Sequence, residues 1–193
     1  MKKILIILTS VTLFSCLNKY EKYHIDETTS PTDTLTFLKS EMTPLNGMVY
    51  CKYGDNGLYI NGKRDGEHKR WYDNGQLKDL GNYDNGKFIN YQSWYENGNR
   101  KFYHVPKKDT LYEVSTWFES GQLKERYTKK NGKWEGEFRE WSEDGQLLII
   151  SNYSDNKLNG EWKQYFYDDN YTTMSISNFK NNERVGETIY IDL

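Results

Sequence analysis

From about residue 45 to residue 193 the chain alternates short runs of aromatic and charged residues with clusters of Asn, Asp and Gly. One nine-residue pattern returns four times: WYDNGQLKD (71–79), WYENGNRKF (94–102), WFESGQLKE (117–125) and WSEDGQLLI (141–149). Aligned on Trp71, Trp94, Trp117 and Trp141, the copies are spaced 23, 23 and 24 residues apart, and a degenerate fifth follows at YFYDDNYTTM (165–174). A second turn signal lies about ten residues after each first one: Asn85-Gly86, Lys107-Lys108-Asp109, Asn131-Gly132, Asp155-Asn156 and Asn181-Asn182. Each repeat therefore reads strand, turn, strand, turn, with no room for a helix of useful length. The predicted fold is all-β, an elongated antiparallel β-meander built from tandem hairpins of roughly 23 residues.

The turn chemistry supports this. Eight of the 15 glycines follow an asparagine: Gly47, Gly57, Gly62, Gly75, Gly86, Gly98, Gly132 and Gly160. Asn-Gly favours two-residue hairpin loops, whose central residues both need positive φ. If Asn74-Gly75 is such a loop, Trp71 faces Lys78 and Tyr72 faces Leu77. The same arithmetic pairs Trp94 with Lys101, Trp117 with Lys124 and Trp141 with Leu148. Lysine stems are thus expected across indole rings on one face, each contact contributing about 0.5–1 kcal/mol. Tyr72, Tyr95 and Phe118 are expected on the other face, against Leu77, Arg100 and Leu123. A Gly-Glu step recurs at Gly66-Glu67, Gly136-Glu137, Gly160-Glu161 and Gly186-Glu187, which predicts a bulge or a close approach of a neighbouring backbone or ring, such as a Trp or Tyr two strands away over the glycine.

The pattern Trp-Tyr-x-Asn-Gly-Gln-Leu-Lys with a second Asn-Gly resembles the bacterial variant of the MORN repeat, and in particular the YwqK-family antitoxin repeat proteins. WYDNGQLKDLGNYDNGK and WFESGQLKERYTKKNGKWEGEF carry the resemblance best. It implies an elongated, twisted β-meander and a non-catalytic role in binding a protein partner, in this family a toxin. Two copies depart from the pattern. The second has Pro106 and a longer stretch before its next strand, and the last, lacking the glycine, reads as a C-terminal cap.

The first residues obey a different rule. MKKILIILTSVTLFSC has Lys2 and Lys3, an apolar run from Ile4 to Phe14, and a close on Leu-Phe-Ser-Cys. The run is too short to span a bilayer, and the ending resembles a lipobox, which implies cleavage before Cys16 and lipidation of its thiol. Residues 1–15 are assigned as a lipoprotein signal peptide, 16–42 as the lipidated cysteine and a tether with a short capping element at its end, and 43–193 as the repeat domain. Leu17 after the cysteine resembles outer-membrane sorting. The expected location is the cell envelope, anchored by lipid. With Cys16 acylated, Cys51 has no disulfide partner and is read as a small apolar strand residue.

Composition narrows the chemistry. Tyr, Phe and Trp number 17, 8 and 6, and mean hydropathy is −0.96, as suits a thin sheet with apolar bodies and wet tips. The net charge of −2, or −4 once Lys2 and Lys3 are removed, argues against nucleic acid and anionic head groups as partners. His24, His68 and His104 show no metal-ligand spacing, and Ser115, Ser120 and Ser142 lack a nucleophile's context. Glu67, Glu137, Glu161 and Glu187 form a repeated row, unlike the paired carboxyls of acid–base catalysis, and are read as solvated edge charge. No enzyme activity, cofactor or metal is expected. The candidate binding surface is Trp71, Trp94, Trp117, Trp141, Tyr72, Tyr95, Phe118, Lys78, Lys101 and Lys124. Its expected partner is an unidentified protein, and the competing reading is a cell-wall or glycan-binding module.

Overall fold

A computed structural model describes residues 20–193, apart from 33, 109, 169 and 170. The signal peptide and Cys16 lie outside the described residues. An N-terminal segment supplies β1 (Lys22–His24), a single 3₁₀ turn (Ile25–Glu27), β2 (Thr28–Thr29), β3 (Phe37–Leu38) and β4 (Thr43–Pro44). The meander then runs through β5 (Gly47–Cys51), β6 (Gly54–Ile60), β7 (Lys63–Trp71), β8 (Leu77–Asp84), β9 (Lys87–Trp94), β10 (Arg100–Pro106) and β11 (Leu111–Trp117). It continues with β12 (Leu123–Lys130), β13 (Lys133–Trp134), β14 (Gly136–Trp141), β15 (Leu147–Ser154), β16 (Lys157–Tyr167), β17 (Thr172–Lys180) and β18 (Glu183–Asp192). From β5 to β18 the strands pair antiparallel in chain order, except that β13 pairs only with β12, which continues to β14; with β1 they form one 15-stranded sheet, a meander as the repeats predict. At about 4.8 Å per strand, its hydrogen-bonding direction covers about 60 Å.

The two kinds of turn are physically different. At Asn61-Gly62, Asn85-Gly86, Asn131-Gly132, Asp155-Asn156 and Asn181-Asn182 both residues have positive φ. The flanking residues pair directly, as Asp84 does with Lys87 and Ser154 with Lys157. These are the two-residue loops expected of Asn-Gly. The turns that follow the tryptophans hold three residues instead. In the first, the Tyr72 carbonyl accepts from Gly75 N at 2.9 Å, and Tyr72 N donates to the Gln76 carbonyl at 2.8 Å. Only the last loop residue is left-handed: Gly75, Gly98, Gly121 and Gly145 have φ between 87° and 95°, and Asn74 and Asn97 are not among the positive-φ residues.

That extra loop residue corrects the predicted register. Trp71 pairs with Leu77, Trp94 with Arg100, Trp117 with Leu123 and Trp141 with Leu147, each beside a bulge. The Trp–Lys pairs expected at 71–78, 94–101 and 117–124 do not form, nor does Trp141–Leu148. Gly47, Gly57 and Gly160 lie inside strands rather than in turns. The Gly-Glu steps do mark bulges, since the glycines at 66, 136, 160 and 186 all have positive φ. The ring expected over them is absent: nothing lies near Gly66 or Gly186, and Gly136 and Gly160 face Thr128 and Asn152. The glutamates lie on strands within the sheet, and three pair two residues along, Glu67 with Lys69, Glu137 with Arg139 and Glu161 with Lys163.

A single layer cannot hide many large aliphatic side chains. Buried apolar side chains are few (Leu45, Val49, Val114, Phe138), whereas Ser93, Ser115, Ser151, Ser175 and Ser177 are buried within strands. Ring contacts run across successive strands from Tyr59 through His68, Tyr83, Phe88 and His104 to Tyr112, at centroid distances of 4.8, 5.4, 6.0, 5.0 and 4.7 Å. Trp134 stacks on Tyr127 at 4.8 Å and on Phe138 at 5.1 Å. His68 and His104 are thus rungs of an aromatic ladder. Cys51 is half-buried in β5.

The segment read as a tether is folded from Lys22 onward. β1 adds to β5 in parallel, and β2, β3 and β4 form a separate small sheet. This sheet is tied to the first two-residue turn by Thr36 N to the Gly62 carbonyl and Gly62 N to the Leu45 carbonyl, both 2.8 Å. The capping element is therefore larger than the sequence suggested, because backbone pairing needs no sustained side-chain period. Lys107 N meets the Leu111 carbonyl at 2.9 Å, which closes the longer loop expected after Pro106.

Two outcomes test this account. Gly121→Ala should lower stability by about 1–2 kcal/mol, the cost of a left-handed L residue, and its Cβ would lie 3.3 Å from Asn99. Ser120→Gly should gain nothing, whereas in a two-residue loop it would relieve strain; urea midpoints measure both. Burial holds His68 down to about 4, below the 6.5 of an unfolded chain. The unfolded chain then binds more protons between these values, so stability falls as pH drops from about 6.5 to 4. His68→Gln should flatten that part of the stability–pH curve.

Candidate functional site

The three-residue loops bring the predicted surface residues to one edge of the sheet, but in a different arrangement. The lysines cap the rings that follow the tryptophans: Lys78 Nζ lies 5.2 Å from the Tyr72 centroid, Lys101 5.2 Å from Tyr95 and Lys124 5.5 Å from Phe118. Tyr72, Tyr95 and Phe118 therefore share a face with the lysines. Strand alternation puts Trp71, Trp94, Trp117 and Trp141 on the other face. There the Arg100 guanidinium lies 5.3 Å from the Trp117 ring and 5.5 Å from that of Tyr103. The lysines expected across the tryptophans lie instead against the neighbouring rings.

The same tyrosines join consecutive repeats. Tyr72 Oη donates to the Trp94 carbonyl at 2.7 Å, and Tyr95 Oη to the Trp117 carbonyl at 2.8 Å. Tyr53 Oη reaches the Asp73 carbonyl one repeat earlier. Asn97 and Asn99 both donate to the Glu119 carbonyl, at 2.8 and 2.9 Å. Desolvation raises the Tyr72 and Tyr95 phenols, which keeps them protonated and able to donate. Phe118 has no hydroxyl, so this link stops before Trp141. Between two of the lysine-capped rings lies a shallow hollow of about 310 Å³, bordered by Tyr72, Lys78, Tyr91, Ser93, Lys101 and Phe102.

A cluster that the sequence did not reveal lies nearer the N-terminal cap. Asp79 is buried, with its carboxylate 2.8 Å from Arg70 Nε and accepting from Tyr91 Oη. The repeat gives a faint signal for it: the equivalent residues are Phe102, Glu125 and Ile149, so the position is variable where its neighbours recur. Glu113 similarly receives Lys107 at 2.9 Å and Arg126 at 3.2 Å, but it lies on an open face. Among the described residues no group of three His, Cys, Asp or Glu side chains could hold a metal ion, and no helix is long and apolar enough to cross a membrane.

The comparison with known proteins falls on this strand–loop–strand unit. Residues 64–85 and 134–155 match the MORN repeat variant. Each matched MORN segment starts at or just after a two-residue turn, crosses a three-residue loop, and ends in the next two-residue turn. The first overlaps the copy that carries Trp71. The second covers the copy with Trp141 rather than that with Trp117, whose sequence resemblance had looked stronger. No curated protein matches the chain.

The interrupted row of hydroxyls predicts its own repair. Phe118→Tyr should stabilise the protein by about 0.5–1.5 kcal/mol, the net value of one hydrogen bond, by reaching the Trp141 carbonyl. Tyr95→Phe should destabilise by a similar amount. Thermal unfolding of the two variants reads both signs.

Proposed function

We propose that the protein is a non-catalytic repeat scaffold of the cell envelope, held by lipid at Cys16, that binds a protein partner along its three-residue-loop edge. One observation carries the reading. Three rings, each capped by a lysine, recur in the same geometry in successive repeats, two strands or about 10 Å apart. Rigid aromatic bodies with amphipathic tips are the side chains that dominate protein interfaces, and here their spacing is fixed by backbone pairing. The acidic loop tips Asp73, Glu96 and Glu119 are exposed beside them, so a partner would present alternating charges of both signs. An antitoxin-type role, with a toxin as partner, follows from the resemblance to YwqK-family proteins.

The test uses the lipidated protein cross-linked in its host's membranes. A triple variant, Lys78→Glu with Lys101→Glu and Lys124→Glu, removes the caps without touching the links between repeats. The expected result is one protein captured by the parent and lost with the variant, whose circular dichroism and melting temperature stay unchanged. Equal capture by both proteins would rule out this edge as the interface.

A further inference from the structure

The N-terminal cap creates a concave space that the repeats alone would not. Two adjoining cavities, about 680 and 300 Å³, lie between residues 25–32 and 34–36 and the start of the array. Both are bordered by Ser30, Thr36, Arg64 and Tyr83, so together they form one groove narrowed by the Arg64–Tyr83 pair. Their sizes fall in the range of small-molecule sites. The groove adjoins the hollow beside Tyr72, Lys78 and Lys101, with which it shares Asp79 and Tyr91, but the ligand inferred for it does not depend on the function proposed for the lysine-capped rings.

Its chemistry is specific. The inner wall is aromatic: Tyr59, His68 and Tyr83 meet edge to face at 4.8 and 5.4 Å. The His68 ring is neutral above acid pH and committed to the Leu58 carbonyl through Nε2 at 2.7 Å, so it offers a flat surface rather than a proton. At the bottom, the Asp79 carboxylate is held by Arg70 and Tyr91. Nearby, Asn56 donates through Nδ2 to the Lys69 carbonyl at 3.0 Å, while its buried Oδ1 has no partner. The rim carries the hydroxyls of Ser30, Thr32, Thr34 and Thr36.

Two cations face the larger cavity. Arg64 Nη1 donates to Tyr83 Oη at 3.0 Å, and its guanidinium lies 5.2 Å from the Tyr83 ring. Neither Arg64 nor Lys63 makes an ion pair among the described residues, whereas Asp79, the carboxylate at the bottom, already has Arg70. An apolar ligand would leave this many polar groups without partners.

We infer that the groove binds an acidic sugar, a saccharide unit bearing a carboxylate. Its ring would lie with the C–H face on the tyrosine and histidine wall, its hydroxyls would meet Asp79, Asn56 and the threonine rim, and its carboxylate would be taken by Arg64 and Lys63. An Arg–carboxylate contact is charge-assisted and directional, which makes the acid group the selective feature. The tryptophan rows, the usual place to look for glycan contacts in an aromatic repeat, are not involved.

Isothermal titration calorimetry on the full chain tests this with three probes: trigalacturonate, its fully methyl-esterified form, and citrate. The account expects trigalacturonate to bind, the ester to bind about tenfold more weakly, the effect of losing one charge-assisted hydrogen bond, and citrate to give no heat. Lys63→Gln, at an exposed position, and Arg64→Gln should each bring the acid toward the affinity of its ester. Lys124→Glu, on β12 and bordering neither cavity, should bind all three probes like the parent. Equal binding of acid and ester would overturn the role of the cations, and citrate binding as tightly as the sugar would reduce the site to a general anion site. No heat from any probe at millimolar concentration would overturn the inference.

Discussion

A single left-handed glycine at the end of a three-residue loop sets the geometry on which the rest of the sheet depends. Because Gly75, Gly98, Gly121 and Gly145 occupy a backbone region closed to most L residues, each loop takes one residue more than a two-residue hairpin. The strands that follow are shifted by one position, and in a sheet one position exchanges the faces. Trp94 therefore meets Arg100 instead of Lys101, and Lys101 turns to Tyr95. The hydroxyl of that tyrosine then reaches the next repeat. Register, cation–ring contact and inter-repeat link share one cause.

A sheet one layer thick gains little from a conventional core, so its cohesion is that of nearest neighbours. At one edge, tyrosine hydroxyls and asparagine amides bind carbonyls 20–22 residues ahead. At the other, the two-residue turns bind each other's backbone. Gly86 N meets the Arg64 carbonyl at 2.7 Å, and the Asn156 and Asn182 side chains accept from Trp134 and Leu158 at 2.7 Å. Asparagine thus supplies both a turn conformation and a link to the repeat before it. Between these edges an aromatic ladder crosses β6 to β11, and small serines are among the few buried side chains. The spacing of the lysine-capped rings is inherited from the backbone, so a partner of the kind proposed need not organise it.

Much of this was legible in the repeats. Their period gave the meander, and the second Asn-Gly signals gave the two-residue turns where they are found. The first turn was harder, because Asn-Gly suits a left-handed pair and also a three-residue loop ending in glycine. The third copy held the clue: Ser120-Gly121 in WFESGQL places serine where a two-residue loop would need positive φ, a conformation serine avoids. The cap was legible only in part, since β1 joins β5 through backbone groups and residues 22–44 show no period. The groove was not legible. Asp79 and Tyr91 are 12 residues apart, and Arg64 becomes a wall only once the cap lies over it.

Cross-strand nuclear Overhauser effects in the isotope-labelled domain test the shared cause most directly. The account predicts Hα and side-chain contacts between Trp117 and Leu123, with Lys124 methylene protons near Phe118. Direct opposition of Trp117 and Lys124 would contradict it, returning the loop to two residues and the lysines to the tryptophan face.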